Sequence, residues 1–330
     1  MANETLYQKA QNALRNKQYD NAYQIFTDLG DYEDSAVMAK ESRYQKALDA
    51  QTKEQFDEAI QIYTDLKDYK DSSDQILESK YLKAAKHLLD KRYQSAYQQF
   101  VALGDYKDSK SKVEAVILLW AAEALNSSGT DAASIFSATV KLDSSHRSGF
   151  YSTISDFING HGSSKYWFNW GATTAAKNVR ILLKMLPSSY QNTSKLLQLF
   201  NALTGTNSYD TLFKNHESAL KNCWSLAFVK DLVKQDDAIY DFLESNWRTS
   251  DRSYYFNFYE NSDGGTSCQF NLPQVAKPSG TKYYCFENLI FYWDNDTNHL
   301  AKCFRFEISS YDTIKVFCYK NNRTYTLYRQ

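Results

Sequence analysis

The sequence predicts an α-helical repeat solenoid followed by irregular helices and a small all-β antiparallel barrel or sandwich. Three observations carry this. The segment Gly30-Asp31-Tyr32-Glu33-Asp34-Ser35 returns 37 residues later as Asp68-Tyr69-Lys70-Asp71-Ser72 and 37 later again as Gly104-Asp105-Tyr106-Lys107-Asp108-Ser109. A constant period without low-complexity sequence is the mark of stacked structural units. Between the copies, apolar residues follow helical spacing. After Trp247 that spacing yields to alternation, and 20 of the last 84 residues are aromatic.

Residues 1–146 are expected to form the array. The shorter helix of each unit carries Tyr19, Ala22, Tyr23, Phe26 and Leu29, then Phe56, Ala59, Ile60, Tyr63 and Leu66, then Tyr93, Ala96, Tyr97, Phe100 and Leu103. Positions i, i+3, i+4, i+7 and i+10 make one apolar stripe of an α-helix. The longer helix carries Tyr7 and Ala10, Tyr44 and Ala47, Tyr81 and Ala84, with the small Ala admitting a close neighbour. No proline precedes Pro187, as long helices require. Within the hexad, Gly30 and Gly104 suit the left-handed residue past a helix end, where Lys67 stands in the second copy. Asp31, Asp68 and Asp105 are then expected to cap the next helix, and Asp34, Asp71 and Asp108 to lie in its first turn. The alternating oxygens of a twelve-residue calcium loop are missing.

Tyr19-Asp20-Asn21-Ala22 with Phe26 resembles the second helix of a tetratricopeptide repeat, as do Phe56-Asp57-Glu58-Ala59 with Tyr63 and Tyr93-Gln94-Ser95-Ala96 with Phe100. The resemblance spans roughly the first 120 to 145 residues. It departs from that family in its 37-residue period, in the hexad that replaces the closing proline, and in lacking the first-helix Trp-Leu-Gly signature. It implies a right-handed superhelix of helix pairs that binds peptides or proteins in its groove. The Asn that would grip a peptide carboxylate is replaced by Gln11, Leu48 and Ala85, so that ligand class is not expected.

A decayed fourth unit follows: Leu118, Ala121 and Ala122 keep the apolar places, and Asp131-Ala132-Ala133 with Phe136 echoes the shorter helix. Terminal units of an array are expected to be atypical. Residues 147–246 read as a helical continuation, with helices over 150–157, 175–186, 194–203, 210–233 and 237–247. Pro187 to Asn192, before Leu196-Leu197, resembles a worn hexad. Residues 247–330 read as seven strands: 252–260, 267–272, 281–287, 289–293, 299–308, 313–319 and 323–329. Opening on Trp247-Arg248 and Tyr254-Tyr255-Phe256, this part is weakly similar to small lipocalin-like barrels.

Lys and Arg number 38 against 39 Asp and Glu, so no whole-chain field attracts nucleic acid or anionic lipid. The longest apolar run, 115–122, is too short to span a bilayer. Five cysteines without a C-x-x-C pattern are expected to be free thiols of a cytoplasmic protein. Export or membrane anchoring is the alternative if the natural gene adds an N-terminal anchor. No cofactor, metal or catalytic motif is read, since G-x-S-x-G, G-x-G-x-x-G and Walker sequences are absent.

The expected function is therefore a non-enzymatic scaffold binding a protein or peptide partner. A small molecule held in the β-domain is the alternative. The candidate partner-binding residues are two columns of the longer helices, Glu4, Glu41 and Glu78 beside Tyr7, Tyr44 and Tyr81, read as exposed. A third column, Lys9, Lys46 and Lys83, recurs with them. A second candidate is the aromatic segment with Tyr166, Trp167 and Trp170, since Trp and Tyr are favoured binding anchors.

Overall fold

Helix pairs stack in order along the first part of the chain, and one curled antiparallel sheet ends it. The computed structural model describes residues 2–162, 166–167, 172–205, 209–234, 239, 242–260, 266–272, 283–286, 289–294 and 299–330. The chain divides into two compact units, Met1–Trp120 and Ala121–Gln330.

In the first unit, α1 (Ala2–Arg15), α2 (Tyr19–Leu29), α3 (Ser35–Thr52), α4 (Phe56–Leu66) and α5 (Ser72–Leu89) each pack on the next, up to α6 (Tyr93–Leu103), and α7 (Ser109–Asn126) starts in this unit and ends in the second. The predicted stripes form the core. Ala10, Ala47 and Ala84 of the longer helices are fully buried, as are Phe26, Tyr63 and Phe100 of the shorter ones. Tyr63 stands where the other two pairs have Phe, and its hydroxyl is buried with no hydrogen-bond partner among the described residues. Burying an unpaired hydroxyl costs about 1–3 kcal/mol. Tyr63→Phe is therefore expected to stabilise the chain by about 1 kcal/mol, read as a higher urea midpoint. A lower midpoint would mean that the hydroxyl has a partner.

Each longer helix ends the same way. Gln18 N–H reaches Ala13 C=O at 2.9 Å while Lys17 N–H reaches Leu14 C=O at 3.0 Å, and the bonds recur at Gln55 and Glu54 and at Arg92 and Lys91. This double bond closes a helix around one left-handed residue. Lys17, Glu54 and Lys91 fill that place with φ of 59°, 60° and 56°. Without a glycine, nothing in the sequence marked them.

The hexad corrects a prediction. Asp31, Asp68 and Asp105 do not cap the following helices, which open at Ser35, Ser72 and Ser109. Two tight turns intervene. Tyr32 N–H bonds Leu29 C=O and Ser35 N–H bonds Tyr32 C=O, as do their equivalents in the next two copies. The first turn needs φ 55°, ψ −115° at Gly30, the geometry of a type II′ turn that glycine favours. The second holds Glu33, Lys70 and Lys107 at φ of 49°, 51° and 49°. These positive-φ residues delay the helix by a turn. Asp34 and Asp71 thus reach the cap positions, where they bond no helix N–H of their own. Lys67 sits at φ 51°, ψ −119°, a region side chains rarely adopt. Lys67→Gly is expected to add about 1 kcal/mol, while Gly30→Ala should subtract at least as much. Equal denaturation midpoints for Lys67→Gly and wild type would show that the turn is unstrained.

In the second unit, α8 (Asp131–Thr139), α9 (Arg147–Gly160), α10 (Ala172–Leu183) and α11 (Thr193–Gly205) continue the helical run. The worn hexad keeps the double turn: Tyr190 N–H bonds Pro187 C=O, Thr193 N–H bonds Tyr190 C=O, and Gln191 has φ 45°. The long helix expected over 210–233 is instead three short ones, α12 (Tyr209–Asn215), α13 (Glu217–Asn222) and α14 (Ala227–Leu232). His216 and Cys223 break it with non-helical backbone.

The sheet contains the seven expected strands plus one missed. They are β1 (Asn246–Arg248), β2 (Tyr255–Glu260), β3 (Thr266–Asn271), β4 (Tyr283–Phe286), β5 (Leu289–Asp294), β6 (His299–Ser310), β7 (Thr313–Cys318) and β8 (Arg323–Arg329). Their order is β3-β2-β1-β8-β7-β6-β5-β4, antiparallel throughout. This is one continuous sheet curled into a half-barrel, not a two-layer sandwich. The missed strand β1 joins β2 to β8, and its three residues are too few to display alternation. Phe256, Phe270 and Phe304 meet inside with ring centres 4.7 to 5.6 Å apart, and Phe258 packs on Phe306. At Cys303 the pairing of β6 with β5 slips by one residue, so Cys303 and Phe304 are both buried. Such a bulge bends its strand and increases the curl. Cys223, Cys268, Cys303 and Cys318 are unbridged and buried, and the side chain of Cys285 lies outside the described residues.

Candidate functional site

The Glu and Tyr columns meet the hexads. Hexad residues lie 27 to 28 positions after their partners on the longer helix of the same unit, and the turn pair folds them back onto that helix. Tyr44 Oη donates to Asp71 Oδ1 at 2.5 Å, Tyr81 Oη to Asp108 Oδ1 at 2.5 Å, and Tyr7 Oη to Asp34. In the reverse direction Tyr32, Tyr69 and Tyr106 each donate to Glu4, Glu41 and Glu78 at 2.8 Å. Each unit thus carries two crossed tyrosine–carboxylate bonds. Hydrogen bonds to ionised acceptors are among the stronger ones proteins make.

Rings and cations complete the clamp. Tyr7, Tyr44 and Tyr81 stand edge-to-face against Tyr32, Tyr69 and Tyr106 at 6.0 to 6.1 Å, and against Phe26, Tyr63 and Phe100 at 5.7 to 5.8 Å. Lys70 Nζ pairs with Glu41 at 2.5 Å and lies 4.8 Å from the centre of the Tyr44 ring. Lys107 does the same with Glu78 and Tyr81. In the first unit Glu33 replaces this lysine, and Glu4 is bonded by Tyr32 and Gln8.

Glu4 is exposed as the sequence predicted, but the rest of the two columns is half-buried or buried. Glu41 and Glu78 side chains are 19% and 26% exposed, and Tyr44 is buried. The Lys column links neighbouring units instead. Lys46 Nζ lies 2.9 Å from Asp20 and 3.3 Å from Glu58, and Lys83 Nζ lies 2.5 Å from Asp57. Beside the first of these links, between α2, α3 and α4, lies an open groove of about 310 Å³ lined by Lys17, Asp20, Lys46, Asp49, Lys53 and Glu58.

The clamp shifts the acidity of its members. Burial, then the Asp71 carboxylate, pushes Tyr44 up to about 12. Burial, then their glutamates, does the same to Tyr69 and Tyr106, and the Asp108 bond followed by burial does it to Tyr81. The Tyr44 bond holds Asp71 below its usual 3.8. Raised tyrosines mean that the folded chain keeps protons the unfolded chain releases, so this stability is present below pH 10 and is lost as pH rises toward about 12. Depressed aspartates act oppositely: their contribution is present above pH 3.8 and is lost as pH falls. Urea midpoints of the full chain are expected to be flat from pH 6 to 9 and to fall on both sides. A midpoint unchanged from pH 9 to 11 would exclude the hydroxyl bonds.

The second candidate divides. Trp167 is 1% exposed, donates Nε1–H to His161 C=O at 2.7 Å, and packs on Phe200 and Phe228, so it offers no free surface. Tyr166 is half-buried, its ring 4.1 Å from that of His161. Trp170 lies outside the described residues. Among the described residues no group of three or more His, Cys, Asp and Glu is placed to hold a metal. None of their helices is long and apolar enough to cross a membrane. No family model, curated protein or solved structure matches this chain.

Proposed function

We propose that this chain is a non-enzymatic interaction scaffold that binds a protein or peptide partner along its helical array, in the manner that its resemblance to tetratricopeptide repeats implies. One observation supports this above others: the same clamp recurs in three successive helix pairs. The same crossed tyrosine–carboxylate bonds in all three pairs, joined by a lysine in the second and third, present like side chains at a constant interval. Such a surface suits an extended partner more than a compact small molecule. The aromatic filling of the sheet weighs against the ligand-holding alternative, since a pre-formed site needs a lined cavity.

The partner-facing groups we assign are the outer edges of the columns, Glu4, Tyr7, Glu41, Glu78 and Tyr81, together with Lys70 and Lys107, which are 45% and 47% exposed. Because Glu41 and Glu78 also hold the fold, the lysines are the better probes. With a partner captured by the full chain, the Lys70→Ala and Lys107→Ala double variant is expected to bind about tenfold more weakly by calorimetry while remaining helical. Undiminished affinity would remove the columns from the interface and return attention to Tyr166 and the sheet. The reading assumes a cytoplasmic protein, which fractionation of the native cell tests.

A further inference from the structure

One cavity of the second unit joins residues far apart in the chain. It measures about 140 Å³ and lies between α9, the start of α11 and the break after α13. Its floor is apolar: Ile158, Leu196 and the Cys223 thiol are all buried. Cys223 Sγ donates to Lys195 C=O at 3.4 Å, which ties the break to α11. The rim is polar and exposed, with Asn192, Lys195, Asn222 and Ser225. A cavity of this size takes a molecule about as large as benzene. An apolar floor under a few placed polar groups is the usual form of a small-molecule site.

The rim sets the sign of the charge that suits it. Among the described residues no Asp or Glu lines the cavity, and Lys195, which does, has no ion pair. Burial pushes the Cys223 thiol up to about 11, and the charge of Lys195 opposes that shift, so the cation is felt at the floor. Lys195 also stands in the first turn of α11. Its N–H lies ahead of the first helical bond, which runs from Leu196 N–H to Asn192 C=O at 2.9 Å. The N–H groups and dipole at a helix start favour an anion. Cation, helix start and missing carboxylates thus agree, above a floor that suits hydrocarbon.

We propose that this cavity binds a free monocarboxylic acid with a short hydrocarbon body, the body on Ile158, Leu196 and Cys223 and the carboxylate on Lys195. The site shares no residue with the clamp columns, so this reading and the scaffold reading stand or fall separately. The probe is isovalerate, titrated into the full chain and followed by saturation-transfer NMR, with neutral isovaleramide as the control. We expect saturable binding of isovalerate at about 1 mM or tighter, and binding of the amide about tenfold weaker. Lys195→Met should weaken isovalerate about tenfold and leave the amide unchanged. The side chain is exposed, so its loss should leave folding intact. Absence of saturation, equal binding of acid and amide, or isovalerate affinity indifferent to Lys195→Met in a chain of unchanged circular dichroism would overturn the proposal. So would an acetylated tripeptide ending in valine that binds about tenfold more tightly than isovalerate, since a chain terminus would then own the cavity.

Discussion

Replacing Arg329 by alanine is expected to destabilise the unit Ala121–Gln330 by about 3 kcal/mol. Arg329 ends β8, and its guanidinium carbon lies 4.5 Å from the ring centre of Phe242, 4.6 Å from Trp247 and 4.9 Å from Tyr311. Its Nη2 donates to Phe242 C=O at 2.8 Å and its Nε to Tyr311 C=O at 3.4 Å. Burial disfavours the charge and pushes the guanidinium pKa down. Rings and carbonyls offset that cost. A desolvated cation over aromatic faces contributes about 2 kcal/mol or more, and an orphaned carbonyl costs about 1–3 kcal/mol. These terms overlap, so their sum is not the expected value.

Two further substitutions separate charge from packing. Arg329→Met keeps much of the stem but removes both donors, and should cost about 2 kcal/mol. Arg329→Lys keeps the charge but loses the flat stacked fork, and should fall between Met and wild type. Urea unfolding followed by tryptophan fluorescence reports directly, because Trp247 lines the site and Trp224 packs on Phe242. A methionine variant as stable as wild type would show that the cation contributes nothing and that the box is only hydrophobic packing.

Local pattern reached as far as local physics does. The helix pairs were legible because a 3.6-residue stripe repeated at 37 needs no knowledge of the partner surface, and seven strands were legible from alternation. The start of α3, α5 and α7 was misplaced because the turn residues Glu33, Lys70 and Lys107 adopt positive φ without being glycine. The three-residue β1 and the breaks at His216 and Cys223 were invisible for want of length. At the candidate site, both columns were seen but not their mates. Nothing in the spacing says that Tyr44 reaches Asp71 and Tyr69 reaches Glu41. That follows only once two tight turns fold the hexad back. The Arg329 box is less legible still, because its rings come from residues 242, 247 and 311.

Tyr44→Ala is expected to be the most damaging of the clamp substitutions within Met1–Trp120, at about 3–5 kcal/mol. Tyr44 is 8% exposed, touches Tyr63 and Tyr69 edge-to-face, lies under Lys70 and bonds Asp71. Truncation opens a cavity in the middle of three clamps and leaves both neighbouring rings without a face. Tyr44→Phe removes only the hydroxyl and should cost about 1–1.5 kcal/mol. The same pair of changes at Tyr7 should cost less, because Tyr7 is only half-buried and its unit has Glu33 in place of the lysine. A graded loss, with Tyr44→Ala above Tyr44→Phe and both above their Tyr7 counterparts, ties stability to the clamp. Equal losses for Tyr44→Phe and Tyr44→Ala would place the whole effect in the hydroxyl bond. A Tyr44→Phe chain as stable as wild type would mean that the bond to Asp71 only replaces one to water, leaving ring packing to hold the hexad.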